Sequence, residues 1–580
     1  MVQHPATDAR GVLYRGGHVL TVDPRQPEAE ALATRAGRIV AVGREADCRR
    51  ALGLPELDGD DPGAGGTSGA GGPGGPGGPL RATADGAGPV VVDLGGRTLL
   101  PGFVDAHLQP IGMCLYAYHL DLSEATSISD VLDALSDQAH RTPPGEFVVG
   151  VRIDAEQLAE RRLPHIAELD AVGGGRAVVL LDRDGHTSMG NTVALAVAGI
   201  RGGREDPPGG AFERDERGRL TGVCRETATR ILLSSVPLPG LDALRSVAPE
   251  VFRSLAAQGI TSISSVLQTD AEGPGGSAGE LESVGMMIFV EDLSLGNHAV
   301  LGGQPARAID ARTSSSLHDP AMNRVVGGVK LYLDGTLAGR SAALHRPYAD
   351  RPDEDGWLVL DPAVAAARME AAHLAGLQVC VHAVGDAAVE VALDLFADLA
   401  ARYPDTSGTS PRHRIAHASV VDTPTAERFA ELGVVAVVQP LSLRSQAGWL
   451  ADRLGDDRLP CAYPFRRLRD AGVVLAGSSH APAEAPDVLA GITAAVTRHG
   501  VAPEQALTTA EAIEMYTAGG AAAQQRDHEA GRLVEGFRAD LVVLSSDPLT
   551  TPPEKIADLD VGLTVVGGRV VHSDVHLPAG

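Results

Sequence analysis

The segment Val473–Asp487 reads "VVLAGSSHAPAEAPD", and this order of residue types is typical of a buried strand that ends at the mouth of an α/β barrel. An apolar run ends in small residues and is followed at once by His480 and Ala-Pro. Catalytic groups of such barrels lie at the C-terminal ends of the strands. The segment therefore predicts that His480 belongs to a functional site.

Seven further apolar runs precede this one. They cover residues 99–107, 259–266, 286–292, 325–335, 377–386, 412–419 and 434–440. Continuous apolar runs suit strands that are buried on both faces, and helix-like patterns separate several of them. Eight strands alternating with helices predict a distorted (β/α)8 TIM-type barrel over residues 101–514. The stretch of about 110–245, between the first and second runs, is expected to be an insertion over the active-site mouth.

The two chain ends are rich in short β-type segments separated by Gly pairs. We expect residues 1–100 and 515–580 to form one small composite β-sandwich domain, which makes the fold class α/β with an added sandwich. Residues 62–79, "PGAGGTSGAGGPGGPGGP", have almost no side chains to bury and are predicted to be a disordered loop.

Composition narrows the class of protein. The 580 residues carry a formal net charge of −26, which argues against nucleic acid as a partner, because phosphate binding needs basic patches. The 5 cysteines include no C-x-x-C pair, so a disulfide framework or a cysteine zinc site is not expected. No apolar run approaches the roughly 18 residues of a membrane helix, and no secretory signal is visible. We expect a cytoplasmic protein that acts on a small molecule, without a membrane partner.

Polar groups recur where the predicted strands end. They are Asp105, His107, Lys330, Asp334, His382, Asp386, His417 and His480. A single histidine of this kind is commonly a satisfied core residue, but four histidines and a lysine at successive strand ends converge on one axis. Imidazoles that converge on a cavity suit zinc or a similar divalent ion, which polarises a carbonyl and activates water.

These motifs resemble the amidohydrolase superfamily, and in particular the amidohydrolase-3 group that includes N-substituted formamide deformylases. "LLPGFVDAH", "GVKLYLDGTLAGRSAAL", "VHAVGD", "RHRIAHA" and "GSSHAP" are similar to the family segments at strands 1, 4, 5, 6 and 8. The resemblance covers nearly the whole chain. It implies hydrolysis of a non-peptide C–N bond, such as that of an amide or formamide, and dimers are common on this scaffold.

The sequence departs from the family pattern at the metal positions. The second strand-1 histidine is replaced by Gln109, and the strand-8 aspartate is replaced by His480. The resemblance assigns the remaining metal position to Lys330, His382 and His417, with His107 and His480 as additional candidate ligands.

Three hypotheses follow. The first is a hydrolase with an incomplete centre of one divalent ion, expected to be zinc, in which His480, Lys330 and His107 are the catalytic residues. The second is a metal-free or non-hydrolytic enzyme on the same scaffold, with Lys330 as a base or nucleophile of lowered pKa. The third is a non-catalytic binding protein that kept the cavity.

Substrate contacts are expected from both the insertion and the barrel loops. The candidates are His186, Asn191, Gln109, Gln439 and Arg340. His186 and Asn191 lie in "DRDGHTSMGN", whose counterpart in the family faces the active site. Arg225 and Glu226, farther along the insertion, either orient a polar substrate group or form a surface ion pair.

Overall fold

Eight strands form one parallel sheet at the centre of the molecule, and their sequence order is their spatial order. They are β1 (Phe103–Leu108), β2 (Ile260–Leu267), β3 (Gly296–Gly302), β4 (Arg324–Tyr332), β5 (Gln378–Ala383), β6 (Arg414–His417), β7 (Val435–Val438) and β8 (Leu475–Gly477). This computed structural model describes residues 10–55, 77–84, 88–267, 295–302, 324–405 and 411–574, together with residues 308, 312 and 408.

The sheet curls into a nearly closed barrel. Just beyond its two ends, the His480 N–H donates to the carbonyl of His107 (3.0 Å) and the Gln109 N–H donates to that of Ala481 (2.8 Å). Small side chains occupy much of the interior. They include Ala106, Val300, Cys380, Ala416, Val435, Val437, Ala476 and Ala523. Small residues leave room for the long side chains that also point toward the axis.

The predicted barrel is confirmed, with one difference in its strands. Seven of the eight predicted runs contain a barrel strand. The run 286–292 lies outside the described residues, and the third strand of the sheet is instead Gly296–Gly302. Its sequence, GNHAVLG, is less apolar than the predicted run 286–292, because β3 carries a buried histidine, His298.

Helices follow most barrel strands and cover the outside of the sheet. The helices of this layer are Pro110–Tyr118, Leu241–Ala257, Pro362–Leu374, Asp386–Arg402, Thr423–Glu431, Pro440–Gln446, Leu450–Leu454, Phe465–Asp470, Val488–Thr497 and Thr509–Glu514. The short helix Gly520–Ala523 packs against β1 and β8 and contributes Ala523 to the interior. Shorter 3-10 segments are Asp456–Cys461, Arg498–Gly500, Pro503–Gln505 and Pro553–Asp558, and Met515–Gly519 is a π-helical turn.

Both chain ends build a sandwich of two sheets, as the sequence predicted. One sheet has Val12–Arg15, Ala31–Arg35, Arg38–Gly43, Arg81–Ala84 and Val90–Asp93, with the helix Glu45–Leu52 packed on it. The other has His18–Leu20, Glu28–Ala29, Thr98–Pro101, Leu541–Leu544, Val561–Val566 and Arg569–Ser573. Of the predicted disordered loop, residues 62–76 lie outside the described part. Gly77 and Gly78 differ from the prediction, because their N–H groups donate to the carbonyls of Ser545 and Gly95.

The strand Leu541–Leu544 belongs to two cores at once. It pairs antiparallel with Thr98–Pro101 on one side and with Val561–Val566 on the other. Because successive side chains point to opposite faces, Leu541 and Val543 pack in the sandwich core while Val542 and Leu544 pack in the main core around the barrel. The last strands of the chain therefore join the sandwich to the barrel.

The insertion after β1 has a mixed sheet of its own. Its strands are Leu120–Asp121, Val148–Ile153, Val178–Asp182, Thr187–Gly190, Gly210–Arg214 and Leu220–Glu226. Its helices are Ile128–Arg141, Ile166–Val172, Thr192–Val197 and Thr227–Leu233. Within the described residues, none of the helices combines the length and the apolar character needed to span a bilayer.

Candidate active site

Three histidines converge at the C-terminal mouth of the barrel. Among the described His, Cys, Asp and Glu side chains, His107, His417 and His480 form the group that could hold a metal ion, with one ligand nitrogen of each within 4.8 Å of the others. Their ring centres are 4.8–5.3 Å apart, and all three residues are buried. The three come from β1, the end of β6 and the segment after β8.

Backbone conformation directs two of these side chains. His417 has a φ of 80° and His480 a φ of 62°, in the left-handed region that residues with a Cβ rarely adopt. Such conformations cost roughly 1–3 kcal/mol each and persist where the surrounding structure enforces them. Here the buried Asp105 carboxylate accepts the N–H groups of Ser479 (3.2 Å) and His107 (3.1 Å), which ties the end of β1 to the end of β8. Burial raises the pKa of Asp105 to about 6.

The three imidazoles are suited to ligate a metal ion. Burial, reinforced by Lys330 and the neighbouring histidines, holds the pKa of His107 and that of His417 well below the ordinary value, and burial lowers the pKa of His480 to about 3. Neutral rings present lone pairs, which is the form that binds zinc. The Nε2 atom of His417 is buried and has no hydrogen-bond partner among the described residues. The donor set therefore fits a divalent ion such as Zn²⁺.

The metal set implied by the family resemblance, Lys330, His382 and His417, differs from this trio. The Nε2 of His382 donates to the carbonyl of Gly335 (3.1 Å), although its ring lies 4.4 Å from that of His417. The Lys330 amine is fully buried, 3.9 Å from the Cys380 sulfur. Burial lowers the pKa of Lys330 to about 8. His480 enters the cluster because it turns inward after β8.

A buried aspartate organises the loops beside His382. The Asp334 carboxylate accepts the backbone N–H groups of Ala343 (3.0 Å), Val384 (2.9 Å) and Gly385 (2.8 Å). Burial raises the pKa of Asp334 to about 7. With its hydrogen-bonding capacity engaged by the backbone, Asp334 acts as a support for the loops that follow β4 and β5.

The insertion contributes a buried histidine–glutamate pair to the site. His186 Nδ1 lies 2.7 Å from Glu226 Oε2, and the Ser341 hydroxyl donates to the other carboxylate oxygen (2.5 Å). Glu226 is 1% exposed, so the surface ion pair considered for it is wrong; Arg225 makes that pair, with Glu213. Burial favours the neutral ring, but Glu226 outweighs it and raises the pKa of His186. The His186 ring stacks on that of His382 at 5.2 Å.

Two cavities meet at the histidines. The larger is open to solvent; it is lined mainly by apolar groups of the insertion and of the helix Pro110–Tyr118, and we call it the apolar lobe. The smaller is lined by carboxyl, amide and hydroxyl groups together with apolar residues such as Leu337 and Val384, and we call it the polar lobe. His382, His417 and His480 line both lobes. A bound molecule can thus extend in two directions from the histidine cluster.

Three of the predicted substrate contacts line this space. His186 and Gln109 line the apolar lobe, and Gln439 lines the polar lobe. Gln439 is 1% exposed, and its Nε2 donates to the Val437 carbonyl (3.1 Å) and the Ser478 hydroxyl (3.0 Å). Tyr116 and Tyr332 also line the apolar lobe, and neither is among the contacts predicted from the sequence.

Two predicted contacts lie elsewhere. Asn191 caps the helix Thr192–Val197, because its Oδ1 accepts the N–H groups of Ala194 (2.9 Å) and Val178 (3.0 Å). Arg340 pairs with Asp350 (2.7 Å). Neither side chain lines the two lobes as far as the structure describes them. The position of Asn191 directly before an apolar helical run is a capping signal that the sequence did contain.

An eight-stranded parallel barrel with a histidine cluster and a two-lobed cavity at its C-terminal mouth defines the class of barrel enzymes that work through polar groups at strand ends. The chain belongs to the amidohydrolase family, whose amidohydrolase-3 model matches residues 90–572. It is a hydrolase of that family.

Individual relatives extend this assignment. YtcJ of Bacillus subtilis (strain 168), a protein assigned as an amidohydrolase, is 30% identical over 83% of this chain and 90% of its own. The N-substituted formamide deformylase of Arthrobacter pascens is 26% identical over 97% of this chain and 98% of its own. A metal-dependent hydrolase of uncharacterised activity from Pyrococcus furiosus, 25% identical, superposes with a TM-score of 0.66 over 93% of this chain and 100% of its own.

Proposed function

We propose that the protein hydrolyses a non-peptide C–N bond of a small-molecule amide or formamide, at a centre of one divalent ion held by His107, His417 and His480. The observation that carries the proposal is the convergence of these three buried imidazoles within 4.8 Å, at the point where two cavities meet. The similarity to a formamide deformylase and to a metal-dependent hydrolase supports the type of reaction.

The residues around the histidine cluster have different proposed roles. A zinc ion would polarise the substrate carbonyl and lower the pKa of water beside it. His186, held in place by Glu226, faces the apolar lobe and is positioned to contact the substrate. Gln109 occupies the same side of the site and offers an amide for a hydrogen bond. The apolar walls of the insertion would contact an apolar substrate group on one side of the reacting bond.

The metal-free alternative draws on Lys330 as a base or nucleophile. The Lys330 amine contacts the Cys380 sulfur at 3.9 Å and lies 5.4 Å from the centre of the Tyr332 ring. It is not among the groups that line either lobe in the described part of the chain. A substrate in the cavity would meet the histidines and Tyr332 first, so the geometry favours the metal centre.

The first test is the metal content of protein purified without chelators, measured by elemental analysis. We expect one tightly held zinc or other transition ion per chain. His417→Ala should lose it, whereas His140→Ala, which alters an exposed histidine of the insertion, should keep it. Absence of metal after incubation with excess Zn²⁺ would contradict the proposal.

A second experiment tests the unusual ligand set. The double substitution Gln109→His and His480→Asp restores the residues that the family usually has. We expect the native protein, which lacks this double substitution, to bind metal and to hydrolyse formamides and amides. If both metal and hydrolysis appear only in the double variant, the native protein is not a zinc hydrolase.

A further inference from the structure

The polar lobe has an excess of hydrogen-bond acceptors. Its wall carries the carboxyl groups of Asp154, Asp182, Asp184 and Glu484, and Arg183 is the cation that pairs among them, with Asp154 (3.4 Å) and Glu484 (3.5 Å). Among the described residues that line this lobe, one cation therefore faces four acidic groups. The Ser445 hydroxyl adds a further donor to Glu484 (2.5 Å).

Two acceptor atoms of this wall have no partner in the described residues. Gln439 is 1% exposed; both of its Nε2 contacts are to acceptors, which fixes the orientation of the amide, and its Oε1 is buried without a donor. Asp184 receives the His186 N–H on Oδ1 (2.9 Å), while its Oδ2 is buried and unpaired. Buried acceptors without donors are costly, so the lobe is complementary to a ligand that brings donors.

Electrostatics point in the same direction. Burial, together with Asp184 and Asp154, raises the pKa of Asp182 well above its usual value. Burial also raises the pKa of Glu484 and that of Asp154. Asp154 and Glu484 share the single counter-charge of Arg183, so a further cation placed among these carboxyl groups would stabilise their ionised forms.

The apolar lobe is lined mainly by hydrocarbon side chains. Tyr116, Val149, Val151 and Leu181 form one buried cluster of the insertion, and all four line the lobe. The segment 236–239, Val-Pro-Leu-Pro, completes the wall. Such a surface accommodates a bulky hydrocarbon group, and the charged residues Arg183 and Asp184 that also line this lobe are shared with the polar lobe.

Resting on the proposed function, we infer that the substrate is an amphiphilic amide, with a bulky apolar group in the apolar lobe and a protonated amine in the polar lobe, on opposite sides of the scissile C–N bond. Charge-assisted hydrogen bonds from the ammonium to Asp184 and Gln439 would orient the molecule. The inference extends the substrate beyond simple N-substituted formamides, because it requires a cationic group.

Binding of non-hydrolysable ketones tests the inference separately from catalysis. Three phenylacetyl ketones, in which methylene replaces the amide nitrogen, would carry an ammonium, a neutral alkyl or a carboxylate tail of equal length. We expect calorimetry with the full-length protein to give the ammonium ketone an affinity about 10-fold or more above that of the neutral one, with the carboxylate ketone weakest. Equal affinities, or preference for the neutral or carboxylate tail, would overturn the inference.

Variants test the acidic wall, in which Asp184 lines both lobes and Asp182 lines the polar lobe alone. Asp184→Asn should reduce the preference for ammonium over neutral ketone by about 10-fold, and Asp182→Asn serves the same purpose if the first variant does not fold. Asp137→Asn, on an exposed helix of the insertion, should leave the preference unchanged. An unchanged preference in both lobe variants would place the ammonium elsewhere and overturn the inference.

The matching amides separate this inference from the proposed hydrolysis. If the ketones show the ammonium preference but the zinc-loaded protein does not cleave the amides, the proposed function fails and the binding inference stands. If the amides are cleaved without regard to the tail, the function stands and the inference fails.

Discussion

At the scale of single residues, the candidate site depends on side chains that no local pattern would bring together. His107 and His480 are far apart in the sequence, yet the His480 N–H donates to the His107 carbonyl. The centres of the two rings are 5.2 Å apart. The pair His186 and Glu226 likewise joins two strands of the insertion sheet: His186 directly precedes Thr187–Gly190, and Glu226 ends Leu220–Glu226. Each of these groups is buried, so the loss of one partner leaves the other unsatisfied.

Glu226→Ala should destabilise the protein by roughly 3 kcal/mol or more, because it leaves the buried His186 ring and the Ser341 hydroxyl without their acceptor. Glu213→Ala removes a carboxylate of the same sheet that is 37% exposed, and should cost less than about 1 kcal/mol. Urea unfolding measures both changes. Equal decreases in the free energy of unfolding of the two variants would show that the buried pair contributes no more to stability than the exposed carboxylate does.

At the scale of elements, a charged cluster joins the helices Phe465–Asp470 and Thr509–Glu514. Glu511 accepts hydrogen bonds from Arg466 (2.8 Å) and Arg469 (3.0 Å) and from the N–H of Thr508 (2.7 Å), which caps the second helix. These two helices flank β8 in sequence. The cluster thus anchors the segment that carries His480.

The same cluster predicts a pH dependence of stability. The hydrogen bond from Arg466 holds the pKa of Glu511 at about 2, below the value of 4.5 for the free side chain. A lowered pKa means that the contribution is fully present above the unfolded value and is lost as the pH falls toward 2. Glu511→Gln should therefore cost about 1 kcal/mol near neutral pH, and the gap to the native protein should shrink in acid.

Unfolding free energies measured between neutral pH and about pH 3 test this expectation. Asp470→Asn is the matched control, because Asp470 pairs with the same Arg466 at 3.4 Å but is 64% exposed. It should change stability by less than about 0.5 kcal/mol. A gap for Glu511→Gln that stays constant with pH would contradict the assignment.

At the scale of the whole molecule, the strand Leu541–Leu544 couples the sandwich to the barrel through its two faces. Val542→Asp should cost more than about 3 kcal/mol, since it buries an acidic group in the main core. Val570→Asp, on the neighbouring hairpin where Val570 is 42% exposed, should change stability by about 0.5 kcal/mol or less.

Tryptophan fluorescence shows whether a substitution in the strand Leu541–Leu544 also changes the unfolding of the barrel. The 2 tryptophans, Trp357 and Trp449, both lie in the barrel part of the chain. We expect Val542→Asp to lower the midpoint of the fluorescence transition in urea and Val570→Asp to leave it in place. If the fluorescence transition is unmoved while the circular dichroism changes, the sandwich unfolds alone and the two parts are not coupled.

Sequence patterns predicted the barrel and the sandwich because continuous apolar runs and Gly-punctuated short strands are local signals. The third barrel strand was placed wrongly, since 286–292 is more apolar than Gly296–Gly302, and an apolar run alone does not show which strand closes the sheet. The family pattern pointed to Lys330, His382 and His417 for the metal. His107 and His480 were named only as additional candidate ligands. Which of these side chains meet depends in part on the left-handed backbone at His417 and His480, which leaves no reliable trace in the sequence at non-glycine residues.

The position of Leu541–Leu544 between Thr98–Pro101 and Val561–Val566 also sets the order in which the protein is completed on the ribosome. The N-terminal strands emerge first, yet the strand that pairs with Thr98–Pro101 is made only when nearly the whole chain has been translated. Until then the side of Thr98–Pro101 that pairs with Leu541–Leu544 stays unpaired, and an unpaired strand edge favours aggregation. A chain that terminates after His480 but before Leu541 therefore contains all three histidines of the cluster and still leaves this edge of Thr98–Pro101 unpaired.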